Sequence, residues 1–270
     1  TSKSMADTAM MKKHDLSFPP GDITGKGRGR VYPYSEDQFQ ELHKAALSVT
    51  GDDPPPWPID VRIANLDETD PDPSTLSVVE MDRGDRFKND VDRRRYLSGR
   101  TLLRRLLAET TGTDPSELVL STNDYGKPFL SGDDQPVFNM SRSGNLTLLA
   151  VADSRLGSIG VDIEHIRPID IDSLARRFFS VREQHELGDI DDGSRLEAFF
   201  NVWVRKEAVV KADGRGLSVP LDSFSVSTGS IAAMTDPGPA GIFDRPLWSI
   251  SVGDGVQAAV AAGAVHESSV

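Results

Sequence analysis

Between residues 194 and 212 the chain sets apolar side chains at helical spacing and puts one carboxylate among them. Leu196, Phe199, Phe200, Trp203 and Val210 share a stripe at about 100° per residue, and Glu207 falls at its middle. A lone carboxylate on that stripe is desolvated at a cost of several kcal/mol. The helix must therefore pack so that Glu207 meets a cation. An ion pair with a structural arginine satisfies this, and so does a metal ion shared with other carboxylates. Lys206 and Lys211 flank Glu207 and are available to hold phosphates, while Arg205 points away. Asp213-Gly-Arg-Gly216 ends the helix.

A second stretch, Gly160-Val-Asp-Ile-Glu164, reads as a strand. Side chains alternate along a strand, so Asp162 and Glu164 point the same way and Val161 and Ile163 enter the core. Two carboxylates aimed at one point repel unless a cation lies between them or one is protonated. An ordinary strand with acidic outer residues fits the same pattern. With Glu207 added, three carboxylates are available for one ion. The chain has no cysteine and five histidines without metal-ligand spacing, which leaves a hard, oxygen-bound ion such as magnesium. From the residues alone, the reading is a magnesium-dependent enzyme acting on a phosphate or pyrophosphate.

Hydrophobic residues make up 37% of the 270 and charged residues 27%, as in a globular protein with a core. No apolar run approaches membrane-helix length and no secretory signal is visible, so the expected setting is cytoplasmic. A net charge of −12 argues against a nucleic-acid binder. Arginines and a lysine nonetheless crowd residues 83–105, as a solvated helix face or as a site for an anion.

Residues 1–57 read as an N-terminal extension, partly disordered, with one helix over 35–50. Gly25-Lys-Gly-Arg-Gly-Arg30 within it is a linker, because no strand precedes it. Asp52-Asp-Pro-Pro-Pro-Trp-Pro58 marks a boundary. Strands are expected at 59–66, 118–121, 137–140 and 146–152, with helices over 74–111 broken near Gly84. Further strands are expected at 158–164, 224–227, 248–252 and 257–262, and short helices at 171–179 and 181–187. The class is α+β, in two similar α/β lobes spanning 58–153 and 154–270.

The motifs, taken together, resemble those of the Sfp-type 4′-phosphopantetheinyl transferases. Gly160–Glu164 is similar to their GxDxE strand, and Trp203-Val-Arg-Lys-Glu-Ala-Val-Val-Lys211 to their WxxKEAxxK helix. Tyr125-Gly-Lys-Pro128, Phe138-Asn-Met-Ser-Arg-Ser-Gly144, Arg177-Phe-Phe-Ser180 and residues 214–224 follow the family's order. The resemblance implies a pseudo-symmetric monomer with its active site in the cleft between two lobes. It implies transfer of the phosphopantetheine arm of coenzyme A to a serine of an apo acyl or peptidyl carrier protein of polyketide or nonribosomal peptide synthases, without nucleic acid or membrane. Asp162, Glu164 and Glu207 are then the ligands of magnesium, for which manganese can substitute. Glu207 is the candidate base, and Lys211 the residue that stabilises or protonates the leaving phosphate. Lys206 and Lys211 lie near the pyrophosphate, Lys127 and Ser141 at nucleotide phosphates, Arg95 at the 3′-phosphate, and Arg83 at another basic contact. Arg142 replaces the family's histidine at a coenzyme A phosphate. A non-enzymatic coenzyme A binder and a different magnesium-dependent phosphotransferase or pyrophosphatase are the competing functions.

Overall fold

The computed structural model describes residues 59–239, 243 and 245–263. The expected extension, its helix over 35–50 and the Gly25–Arg30 run lie outside the described residues. The rest is a mixed α+β fold of two three-stranded antiparallel sheets, each backed by a 22-residue helix.

In the first sheet β5 (Leu146–Ala152) is central, between β1 (Asp60–Asn65) and β4 (Val137–Ser143). Its run Leu-Thr-Leu-Leu-Ala-Val-Ala is apolar on both faces, as a strand covered on both sides must be. Leu149 and Val151 pack against Leu102, Leu103, Leu106 and Leu107 of α2 (Asp90–Thr111). Leu148, Ala150 and Ala152 face the opposite way, into a second cluster. Before α2 comes the short α1 (Val78–Gly84), opened by a capping box of Ser77 and Glu80. The break near Gly84 falls where it was expected.

The second sheet has the order β6 (Ser158–His165), β10 (Val256–Gly263) and β9 (Leu247–Ser249). Ile159, Val161 and Ile163 of β6 join Ala258, Val260 and Ala262 of β10 in the cluster that also takes Leu148 and Ala150. The intervening Ala259 and Ala261 face α5 (Asp192–Asp213). The molecule is thus layered as α2, first sheet, second sheet and α5. The small residues of β10 let both neighbours approach closely. α3 (Ile171–Phe178) and α4 (Val181–Gly188) pack beside α5. Two short hairpins complete the fold: β2 (Leu120–Thr122) with β3 (Pro128–Leu130), and β7 (Ser225–Val226) with β8 (Met234–Asp236). β3 and β8 are too short to show a period-2 pattern in the sequence.

The contact that positions the site is between β6 and α5. A Cβ built on Gly160 would lie 2.1 Å from the Ala208 carbonyl oxygen and 2.2 Å from the Ala212 nitrogen. Strand and helix backbones touch there, and only glycine permits it. Gly160→Ala is expected to cost at least about 3 kcal/mol by forcing the two apart. Urea denaturation monitored by circular dichroism measures this, and a loss below about 1 kcal/mol would show that the helix is free to shift.

Candidate active site

Asp162 and Glu164 project from β6 on the face opposite Val161 and Ile163, as strand alternation requires. Opposite them, β4 presents Asn139, Ser141 and Ser143 at the same period of two. Asn139 Oδ1 accepts the Val161 N–H at 3.0 Å. Ser141 Oγ donates to Asp162 Oδ1 at 2.7 Å, and Ser143 Oγ donates to Glu164 Oε2 at 2.8 Å while accepting the His165 N–H at 3.1 Å. Side chains therefore do along this seam what backbone pairs do within each sheet. The carboxylates are fixed by the other sheet's serines.

From α5, Lys211 Nζ donates to Asp162 Oδ1 at 2.6 Å and to Ser141 Oγ at 3.0 Å. Arg167 donates to Glu164 Oε2 at 2.9 Å. Glu207 stands one helical turn before Lys211. Burial holds its carboxyl above the usual carboxylate range, and the charges of Asp162 and Glu164 add to this while Lys211 opposes it. Burial also raises Asp162, with Glu164 adding and Lys211 and Ser141 opposing. Asp162 is 4% exposed, and its Oδ2 has no hydrogen-bond partner among the described residues. The helical carboxylate is therefore near enough to the strand pair to share its electrostatics. As placed, no three acidic or histidine side chains among the described residues are gathered tightly enough to enclose an ion.

Other expected site residues fall elsewhere. Lys206 turns into the core. It is fully buried, ion-paired with Glu183 at 2.8 Å, and donates to the Leu221 and Phe224 carbonyls at 2.7 and 2.6 Å. Glu183 in turn accepts the Val226 and Ser180 N–H groups, so this pair ties α4 and β7 to α5. Lys127 likewise turns inward. Its ammonium donates to the Ile159 and Ala212 carbonyls, both at 3.1 Å, the second in the last turn of α5. Burial lowers its pKa to about 8. Arg205 points away from the carboxylates as expected, but into a buried set of acceptors: the carbonyls of Ser227, Gly229 and Ser230, and Ser249 Oγ.

The basic segment is mostly self-compensated. Arg93, Arg94 and Arg105 pair with Asp85, Asp70 and Asp72, and Glu80 holds both Arg100 and Arg104. Arg95 forms two bonds to Asp67 at 2.7 and 2.6 Å. Arg83 and Arg142 are arranged differently. Their guanidinium carbons stand 5.8 and 5.5 Å from the Tyr96 ring centroid. The Arg142 stem runs over Gly99, where an added Cβ would lie 3.4 Å from its Cδ. Burial, Arg100 and Arg83 hold Arg142 below the usual arginine range. Arg83 and Arg86, with Val79 and Phe87, line an open pocket beside this pair. Sequence reading missed Asn139, Ser143 and Tyr96. The first two were legible, since they stand at the Ser141 period in a motif already singled out.

These features define a class: an α+β protein with a buried carboxylate cluster, a lysine within it, and a separate pair of stacked arginines. Comparison with known proteins gives the class its identity. Residues 158–244 match the 4′-phosphopantetheinyl transferase superfamily, and residues 72–154 match the description 4′-phosphopantetheinyl transferase, N-terminal. The 4′-phosphopantetheinyl transferase HetI of Nostoc is 36% identical over 181 residues, covering 66% of this chain and 73% of that one. The 4′-phosphopantetheinyl transferase Sfp of Bacillus subtilis is 37% identical over 153 residues, covering 57% and 66%. A phosphopantetheinyl transferase of Thraustochytrium is 34% identical over 177 residues, covering 60% and 61%. The chain belongs to the 4′-phosphopantetheinyl transferase family. It is a transferase of that class, and no helix among its described residues is long and apolar enough to cross a membrane.

The geometry generates two predictions. Lys206→Met leaves Glu183 charged and buried without its partner, at a cost of about 3–5 kcal/mol. Adding Glu183→Gln should restore part of the lost melting temperature, whereas a phosphate-binding lysine would lower substrate affinity and leave stability alone. The second concerns pH. Carboxyls raised in the folded state contribute stability below their unfolded pKa and lose it as pH rises through the folded one. Metal-free protein should therefore lose stability as pH rises out of the acid range, and Glu207→Gln should flatten that slope. Thermal melts across pH check both, and an unchanged slope in the variant would show that Glu207 is not in the charged cluster.

Proposed function

We propose that the protein transfers the 4′-phosphopantetheine arm of coenzyme A to a serine of an apo acyl or peptidyl carrier protein, with magnesium, releasing 3′,5′-ADP. The observation that carries this reading is the hydrogen bond of Lys211 to Asp162, with Glu164 and Glu207 close enough to act on the same charges, in a chain of this family. The two sheets with their helices are read as two lobes, 58–153 and 154–270, with coenzyme A between them along the seam of β4 and β6. The protein is taken as a cytoplasmic monomer serving polyketide or nonribosomal peptide carriers.

Asp162, Glu164 and Glu207 would hold the magnesium. The donor set fits: three hard oxygen ligands, one of which carries a buried oxygen without a partner. When bound, magnesium, or manganese in its stead, supplies positive charge to the diphosphate. The chain's own residues do the rest. Ser141 orients Asp162. The ammonium of Lys211 is within reach of a phosphate beside that carboxylate. Arg83 and Arg142, held at the Tyr96 ring, supply fixed positive charge for the 3′-phosphate.

The carrier serine oxygen attacks the phosphorus that bears pantetheine, and the bond from that phosphorus to the oxygen of the ADP leaving group breaks. Glu207 takes the serine proton. Lys211 stabilises the departing phosphate.

Docking of an acidic carrier on a chain of net charge −12 needs a local basic or apolar face. The exposed Arg176 and Arg177 of α3 and the 68%-exposed Val181 that opens α4 offer one.

The test is incubation with magnesium, coenzyme A and apo carriers from fatty-acid, polyketide and peptide pathways. One phosphopantetheine should be added by mass, and no transfer to any carrier would refute the reading. Asp162→Asn and Glu207→Gln should each lower kcat/KM at least about 100-fold with the far-ultraviolet spectrum unchanged. Full activity in either variant removes that residue from the mechanism.

A further inference from the structure

Lys211 and Lys206 stand five residues apart on one helix in opposite situations. Lys206 is sealed, 0% exposed, with a carboxylate and two carbonyls around it. The Lys211 side chain is 29% exposed, and its ammonium lies on Asp162 Oδ1, a position that a metal ligated by Asp162 would contest. Two donors, Lys211 and Ser141, already converge on that single oxygen while Oδ2 has none. Among the described residues, Lys211 is the cation that weighs on the charges of Glu207 and Asp162. Lys211 on Asp162 and the exposed Arg167 on Glu164, set against three carboxylates, leave the cluster with one negative charge in excess.

We propose that Lys211 is the resident counter-ion of Asp162 in the metal-free protein, and that a divalent cation displaces it, freeing its ammonium for the substrate's diphosphate. This rests on the three-carboxylate metal reading above. An ammonium and a divalent ion at the same carboxylate repel one another, and a long flexible stem with an open side gives the lysine somewhere to go. Ser141 stays, because a neutral hydroxyl suffers no such repulsion. Ion and substrate then bind with positive coupling, since the expelled ammonium finds a new partner only when the diphosphate is present. Lys211 has a stake in the free protein and a different one in the complex, which a residue serving only the leaving group would not have.

The experiment is calorimetric titration of magnesium into the metal-free protein without coenzyme A, for wild type, Lys211→Gln and Arg167→Gln. Lys211→Gln should bind magnesium at least about tenfold tighter. Arg167→Gln, which frees Glu164 from an exposed partner, should change affinity by less than about threefold. Equal affinity in wild type and Lys211→Gln overturns the proposal and leaves the metal site standing. Absence of magnesium binding in both, with or without coenzyme A, overturns the metal reading and the proposal with it. Should Lys211→Gln fail to fold, acylation footprinting of the wild type decides. Magnesium alone should raise Lys211 labelling severalfold, and unchanged labelling overturns the displacement.

Discussion

Everything at the carboxylate cluster depends on backbone contact between Gly160 of β6 and the last turns of α5. A side chain at that position would collide with the Ala208 carbonyl and the Ala212 amide. Because the helix can lie directly on the strand there, residues 207 and 211 come down beside residues 162 and 164. On the other face of the same strand, Val161 and Ile163 bury the second sheet against the first. One strand thus carries a dry face that joins the sheets and a charged face that meets the helix. The charged face is affordable only because β4 supplies serine hydroxyls to it from the side.

The sequence made much of this legible. Alternation along 158–164 placed Asp162 and Glu164 on one face, and the apolar stripe around Glu207 required that residue to meet a compensating partner. Both inferences depend only on element period, which survives tertiary packing. The lysines were less legible, because helix-stripe reasoning assumes one buried face and α5 is covered on more than one. Val202, Lys206 and Val209 form a second row, with both valines fully buried. A lysine in such a row is a core lysine, and its partner Glu183 lies 23 positions upstream in another helix. Sequence spacing cannot reveal a pair that only tertiary packing creates.

The arginine-rich segment shows the same limit from the other side. Residues 83–105 look strongly basic when read along the chain. In the fold, aspartates from the turns after β1 and glutamate from α1 come back against α2 and neutralise most of that charge. What stays basic is local and includes Arg83 and Arg142 at one tyrosine ring, drawn from segments almost 60 positions apart. Arg142 thus lies over the ring of Tyr96. The stem passes over Gly99 on α2, where an added Cβ would meet it at 3.4 Å.

The two cationic regions therefore differ in kind, and the difference bears on how the protein discriminates. At the Tyr96 ring the charge is permanent, carried by two guanidinium groups. At Asp162 the positive charge is one lysine on a mobile stem, set among carboxylates that outnumber it. A phosphate arriving at the first region finds it ready. At the second it meets net negative charge until a cation enters. On the function proposed above, a substrate with phosphates at both ends of its nucleotide would be anchored by the first and admitted by the second only with its metal. That ordering follows from counting charges at two places in the fold.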